Sequence, residues 1–205
     1  FEGRLVDMDG QPQEGLTVEV QNQVSQSDSS GYFKFDELLR QNSNISIYGQ
    51  GIRSELFSVH LAVDREINEI VWPSLPVVGL NDGSQRVYFA GDVTLGRRFL
   101  ELDPSDRGIF PSDDPEALIS VADPTPGALS IIQWVKPYFE LADGAVLNLE
   151  SPATDDPQFP HPTKEHVFFS LPESLVILPE LGIDFVSLGN NHIYDYLDQG
   201  IFDTF

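Results

Sequence analysis

The 205-residue sequence contains no cysteine, so disulfides and thiolate metal sites are excluded. Basic residues are also scarce. Lys and Arg number 11 against 33 Asp and Glu, a formal net charge of −22. That balance opposes binding to nucleic-acid phosphates, which need a basic surface, and docking on an anionic membrane leaflet. It favours solubility and attracts cations, and a saline habitat would leave the same bias. Long hydrophobic runs are missing, so neither a membrane span nor a signal peptide is legible. The chain opens on Phe1-Glu2-Gly3, straight into a strand pattern and without an initiator Met. Its start is read as a processed or trimmed end from which a signal or lipid anchor could have been removed. Membrane attachment is expected only through such an anchor.

What is present divides into two halves. From Phe1 to about Trp72 the pattern is short strands and turns. Leu16, Val18 and Val20 alternate with Thr17, Glu19 and Gln21, the period of a half-buried strand. Asp9-Gly10 and Ser29-Ser30-Gly31 mark turns. Tyr32–Phe35, Ile45–Tyr48, Glu55–Leu61 and Glu66–Val71 are further candidate strands, and strands at this spacing predict an antiparallel sandwich. The pieces Gly3–Asp7, Gly15–Val18 and Asp28–Phe35 resemble the carboxypeptidase regulatory-like domain. That resemblance implies a transthyretin-like β-sandwich of the kind common in extracytoplasmic proteins. His60 falls within an alternating run and reads as a strand-surface or satisfied histidine, and no catalytic constellation is visible in this half. The stretch Trp72–Gln85, with two prolines and two glycines, reads as a linker. The boundaries expected are a sandwich over 1–75, a linker over 76–85 and a second domain over 86–205.

In the second half, strands and helices alternate, which predicts an α/β domain with a largely parallel sheet. Three apolar runs read as buried strands: Arg86–Ala90, Ala145–Leu147 and Asp184–Leu188. Helices are expected near Leu95–Leu102, over Ala128–Leu141 with an end or kink at Pro137, and over Pro172–Leu181 with Gly182 behind it. Asp103 to Gly127 reads as a long acidic loop, either solvated surface or a functional segment. His161 and His166 stand in or beside a polar, Pro-rich loop, where they could ligate a metal, although separated loop histidines more often do nothing special.

The three strands end in Asp92, in Glu150 and in Asn191-His192. Parallel strands set such ends along one edge, where ligand crevices form. Oxygen and imidazole donors gathered there suit divalent cations such as Mn²⁺, Fe²⁺ or Zn²⁺. Asp92 could instead merely cap the element that follows. Arg86, Arg97 and Arg98 flank Asp92, a local excess of base in an acidic chain.

The ordered pieces Phe89–Arg97, Asn148-Leu149-Glu150-Ser151-Pro152 and Leu181–His192, followed by Asp195, Gly200 and Asp203-Thr204, resemble the bacterial capsule-synthesis CapA family. Its members are also called poly-γ-glutamate synthesis PgsA-like proteins, and the family looks like a branch of the calcineurin-like metallophosphoesterases. The resemblance implies that Asp92, Glu150 and Asn191 bind metal. It implies that His192 serves as general acid or oxyanion partner, that Asp195 orients His192, and that Arg97 holds a phosphate or carboxylate. Two departures stand out. The phosphoesterase histidine two positions after the first aspartate is Thr94 here, and the usual Asp-Tyr-Gly is Asp195-Tyr196-Leu197. The later histidine motifs are not in the chain, so a truncated, incomplete metallophosphatase-type site with incompletely bound metal is expected.

The function implied is capsule or poly-γ-glutamate biosynthesis outside the cytoplasm, at the cell surface or in the periplasm. Within it, a metal-dependent hydrolase of phosphoester or related bonds competes with a non-catalytic scaffold for an anionic polymer. A β-sandwich adhesin with an inert α/β partner is the third reading. The partners expected are an anionic polymer or phosphoester substrate and other capsule-synthesis proteins.

Overall fold

A computed structural model describes residues 1–36, 43–59, 71–101 and 117–205. His60, residues 66–70 of one expected strand, and Asp103, Asp106, Asp113, Asp114 and Glu116 of the acidic loop lie outside the described residues. The described fold is mostly β, with three sheets and few helices. Contacts divide the chain into two compact units, Phe1–Ser84 and Gln85–Phe205.

In the first unit, β1 (Glu2–Val6) sits between β4 (Tyr32–Lys34) and β7 (Val71–Pro76). A second sheet runs β3 (Gln23–Gln26), β2 (Thr17–Val20), β5 (Ser43–Tyr48) and β6 (Glu55–Val59), all antiparallel. The alternation read at Leu16–Val20 turns Leu16, Val18 and Val20 inward. They share one core with Ile45 and Ile47 of their own sheet and with Leu5, Phe33 and Leu75 of the other. Phe1 stacks on Phe35 at 5.8 Å and meets Trp72 edge-on at 5.5 Å.

The linker is shorter than its prolines suggest. Trp72–Pro76 belongs to β7 and pairs parallel with β1. The register shifts between Gly3 and Leu5, so Pro73 falls where the ladder is interrupted. Because β7 is an edge strand, the missing N–H of a proline costs little there. Val77 N–H then donates to Val6 O at 2.8 Å, and Leu75 and Val77 join the core of the first unit, while Val78 and Leu80 stay exposed.

In the second unit, β9 (Gly144–Leu149) lies between β8 (Val87–Val93) and β10 (Phe185–Ser187), and both pairings are parallel. The helices are α1 (Pro124–Ile132), α2 (Lys136–Phe139), α3 (Ile177–Glu180) and α4 (Leu197–Thr204). Three expectations need correction. First, Leu102 lies outside the described residues, and Leu95–Glu101 is not an α-helix. It holds only a 3₁₀ turn at Arg97–Phe99, followed by a bridge from Leu100 to Ile119. A Cβ on Gly96 would sit 1.8 Å from Phe169 O, so the backbone is held against a neighbouring segment instead of coiling on itself. Second, the helix expected from Ala128 begins at Pro124 and breaks before α2. Pro124 and Pro137 each stand at a helix start, where a lost N–H is no penalty. Third, β8 and β10 are not buried. Ala145, Leu147 and Leu149 of β9 are, but Phe89 and Phe185, flanking Val146 on the other face, are 79% and 72% exposed. Among the described residues only one face of this sheet is covered. Before α3, Pro172–Val176 is a 3₁₀ stretch, and Gly182 takes φ 64°, the left-handed value expected of a helix-ending glycine.

Candidate functional site

The parallel pairing brings the carboxyl ends of β8, β9 and β10 to one edge. A register shift between Phe89 and Asp92 sets Asp92 opposite Asn148 and Val93 opposite Leu149. Asn148 Nδ2 donates to Asp92 Oδ1 at 2.6 Å, and Asn190 Nδ2 donates to Asn148 Oδ1 at 3.1 Å. Asn190 also donates to Leu149 O at 2.8 Å, while its Oδ1 accepts from the N–H groups of His192 and Ile193, both at 2.9 Å. One amide thus holds the turn after β10 onto the end of β9, a local use to which Asn is suited.

That turn presents His192. Its Nδ1 is 2.7 Å from Asp195 Oδ2, and its Nε2 is 4.0 Å from Glu150 Oε1. Asp195 is fully buried. It accepts from Lys164 Nζ at 2.5 Å and from Phe168 N–H at 2.6 Å as well as from His192. Lys164 further donates to the carbonyl of Asn191. The Phe168 ring stacks on the imidazole at 4.2 Å and 25°, and the Arg97 guanidinium lies over the same ring at 4.9 Å. Arg97 adopts φ 54°, an unfavourable backbone for a non-glycine residue. It lines an open depression of about 540 Å³ with Thr94, Gly96, Arg98 and Phe99.

Of the sequence-predicted residues, Glu150, His192 and Asp195 form one contact chain, and Asp92 joins it through Asn148 and Asn190. Arg97 joins through Phe168. Asn191 is exposed, and the contact found for it is through its backbone carbonyl, whereas its neighbour Asn190 makes the side-chain bonds toward the strand ends. Thr94 Oγ1 lies 3.3 Å from Ser151 Oγ, which lies 2.9 Å from Ser170 Oγ. His161 packs edge-on against Tyr194 and its Nδ1 accepts from Thr163, and His166 is exposed. Lys164 and Phe168 were not legible as site residues. Lys164 had one usable signal, as one of 11 basic residues in a chain with 33 acids. For Phe168 there was none.

Asp92 and Glu150 bring carboxylates to this edge, oxygen donors of the kind a divalent cation takes. Among the described residues, however, no three His, Asp or Glu groups stand close enough together to hold an ion. The Asn191 amide would have to complete such a set. Burial beside Asp195 pushes the hydroxyl of Tyr196 well above the usual phenol range, and that hydroxyl has no hydrogen-bond partner among the described residues. It is therefore a core group that stays neutral. No helix among the described residues is long and apolar enough to cross a membrane.

A family profile described as "Bacterial capsule synthesis protein PGA_cap" matches residues 86–205. A curated relative, "PGA biosynthesis protein CapA" of Bacillus subtilis (strain 168), is 35% identical over 78 residues, which is 38% of this chain and 20% of that protein. The match thus spans about a fifth of that relative's length. A solved structure described as "Conserved hydrophobic clusters on the surface of the Caf1A usher C-terminal domain are important for F1 antigen assembly" is 24% identical. The likeness covers 39% of this chain and 97% of that one, at a TM-score of 0.27, too low to carry any inference.

Proposed function

The chain belongs to the bacterial capsule synthesis protein PGA_cap family, and from that premise we propose that its second unit carries a metallophosphatase-like centre that hydrolyses a phosphoester or related bond during capsule or poly-γ-glutamate biosynthesis. The observation that carries the reading is the His192–Asp195 pair standing beside Glu150 at the carboxyl edge of a parallel sheet. Asp92, Glu150 and Asn191 would hold one or two divalent ions of the Mn, Fe or Zn type. Such an ion, when bound, supplies Lewis-acid polarisation of the bond under attack.

The residues of the chain do the rest. Asp195 accepts the Nδ1 proton of His192 and leaves Nε2 to hold or deliver a proton at the reacting oxygen. Arg97 offers its guanidinium to a phosphate or carboxylate of the substrate. Its face rests on Phe168, which leaves its N–H edge for the ligand. The chain as a whole, at −22, repels a polyanion at long range. Arg97 and Arg98 offset that locally. The setting proposed is outside the cytoplasm, with an anionic cell-surface polymer and other capsule-synthesis proteins as partners and the first unit as a supporting or binding module.

A second reading rests on the Thr94–Ser151 contact, which occupies the position of a phosphoesterase ligand with a hydrogen-bonded hydroxyl. On that reading the centre is a non-catalytic scaffold that binds an anionic polymer. The deciding experiment measures phosphomonoester and phosphodiester turnover by the intact protein with Mn²⁺, beside Asp92→Asn and His192→Ala. The catalytic reading expects losses of about 10²-fold or more from either change. Equal rates in all three proteins, with polymer binding that survives chelation and His192→Ala, leave the scaffold.

A further inference from the structure

We infer that Lys164 and Phe168 are positioning residues that lock His192 into one tautomer and one ring orientation. The inference rests on the reading of His192 as the proton-handling group.

A carboxylate taken out of water needs donors and a countercharge. Asp195 has no exposed surface, and the cation that meets it is Lys164. The ammonium makes two contacts at once, to Asp195 Oδ1 and to the carbonyl of Asn191. It therefore ties the turn carrying Asn191 and His192 to the carboxylate that orients the imidazole. Phe168 also acts twice. Its N–H donates to Asp195 Oδ2, the same oxygen that faces His192 Nδ1, and its ring lies flat against the imidazole. The hydrogen bond fixes the ring in its own plane, and the stacked phenyl fixes the face. With the Lys164 ammonium on one oxygen and the Phe168 N–H on the other, Asp195 is held as an acceptor, so the Nδ1 that faces it carries the proton and Nε2 is the nitrogen presented toward Glu150. The guanidinium of Arg97 rests on the same phenyl ring. One aromatic plate thus supports both the anion-binding arginine and the histidine.

The test is the tautomer of His192, read by two-dimensional ¹⁵N–¹H imidazole spectra of the whole chain at about pH 8, where an unperturbed imidazole is neutral. The signals are assigned by their loss in His192→Gln. Wild type and Lys164→Arg are expected to show a single Nδ1–H tautomer with a slowly exchanging proton. Lys164→Met is expected to show mixed tautomers and proton exchange at least about tenfold faster. Phe168→Leu, which keeps the backbone donor, should retain the tautomer but lose the ordered ring. Mixed tautomers in wild type, or a Lys164→Met spectrum like that of wild type, overturn the inference. If Lys164→Met does not fold, Phe168→Leu decides, and unchanged His192 signals then overturn it. No turnover enters the measurement. An inactive protein with a locked His192 therefore rejects the proposed function alone, and a freely tautomerising His192 in a protein that turns substrate over rejects this inference alone.

Discussion

Replacing Asp195 is the most informative single perturbation, because the residue serves three donors from a fully buried position. Asp195→Asn keeps one oxygen. Its lowest-cost arrangement keeps that oxygen toward Phe168 N–H and His192 Nδ1 and turns the new NH₂ toward Lys164. The lysine side chain is 26% exposed and can swing into water, so the cost is one charge-assisted bond, about 1.5–3 kcal/mol and toward the lower end. Asp195→Ala removes all three acceptor contacts and leaves the Phe168 N–H and the His192 Nδ1 proton unpaired. About 2–4 kcal/mol follows, from the lost charge-assisted bond and the stranded buried donors. The assay is urea denaturation with a probe in the second unit, comparing midpoints at constant slope. The expected order is Ala worse than Asn, with a gap of at least about 1 kcal/mol. An Asp195→Ala protein within about 0.5 kcal/mol of wild type, the range of an ordinary surface change, would refute the reasoning.

Two further outcomes follow from other parts of the structure. Gly96→Ala puts a methyl 1.8 Å from the Phe169 carbonyl oxygen, a backbone atom that cannot rotate away. It should cost about 2–3 kcal/mol or more and displace Arg97, and a thermal melt with Tm unchanged would contradict it. In the first unit, the hydrogen bond from Tyr32 and the nearby charge of Lys34 hold the Glu2 carboxyl below its usual range, and the Tyr32 hydroxyl is pushed up to about 12. A lowered carboxyl stabilises the fold above its unfolded value, and that contribution fades as the pH drops below about 4.3 and through the lowered folded value. The raised phenol works in the opposite sense: its contribution is complete below about pH 10 and is lost as the pH rises through the folded value. Tyr32→Phe should flatten both limbs of the Tm–pH curve, and unchanged limbs would show that the bond does not contribute in solution.

The sequence displayed its strand ends better than the connections between them. Period-two alternation at Leu16–Val20 and the short apolar run at Ala145–Leu147 gave strands because both patterns are local. Proline punctuation misled twice. Pro73 is tolerated on an edge strand at a register shift, and Pro124 starts a helix within a stretch that reads as loop. The 3₁₀ turn at Arg97 depends on the approach of Phe169, 73 positions beyond Gly96, which no window around Arg97 contains. At the site, Asp92, Glu150 and His192 were legible from their place after apolar runs. The contacts of Lys164 and Phe168 with Asp195 close over 31 and 27 positions and had no pattern to announce them. One departure noted in the sequence has a physical cost. Leu197 stands where the motif usually has glycine, and it takes φ 57°, a value that glycine adopts without strain.

The central claim is that the ends of β8, β9 and β10 make one site. Titrating Mn²⁺ at low stoichiometry into the ¹⁵N-labelled chain and following paramagnetic broadening of the backbone amides tests it most directly. Broadening that strikes Asp92–Thr94, Asn148–Ser151 and Asn190–Asp195 together, at the same metal level, is the predicted result. Broadening spread over the acidic surface, or confined to one of the three segments, would contradict it.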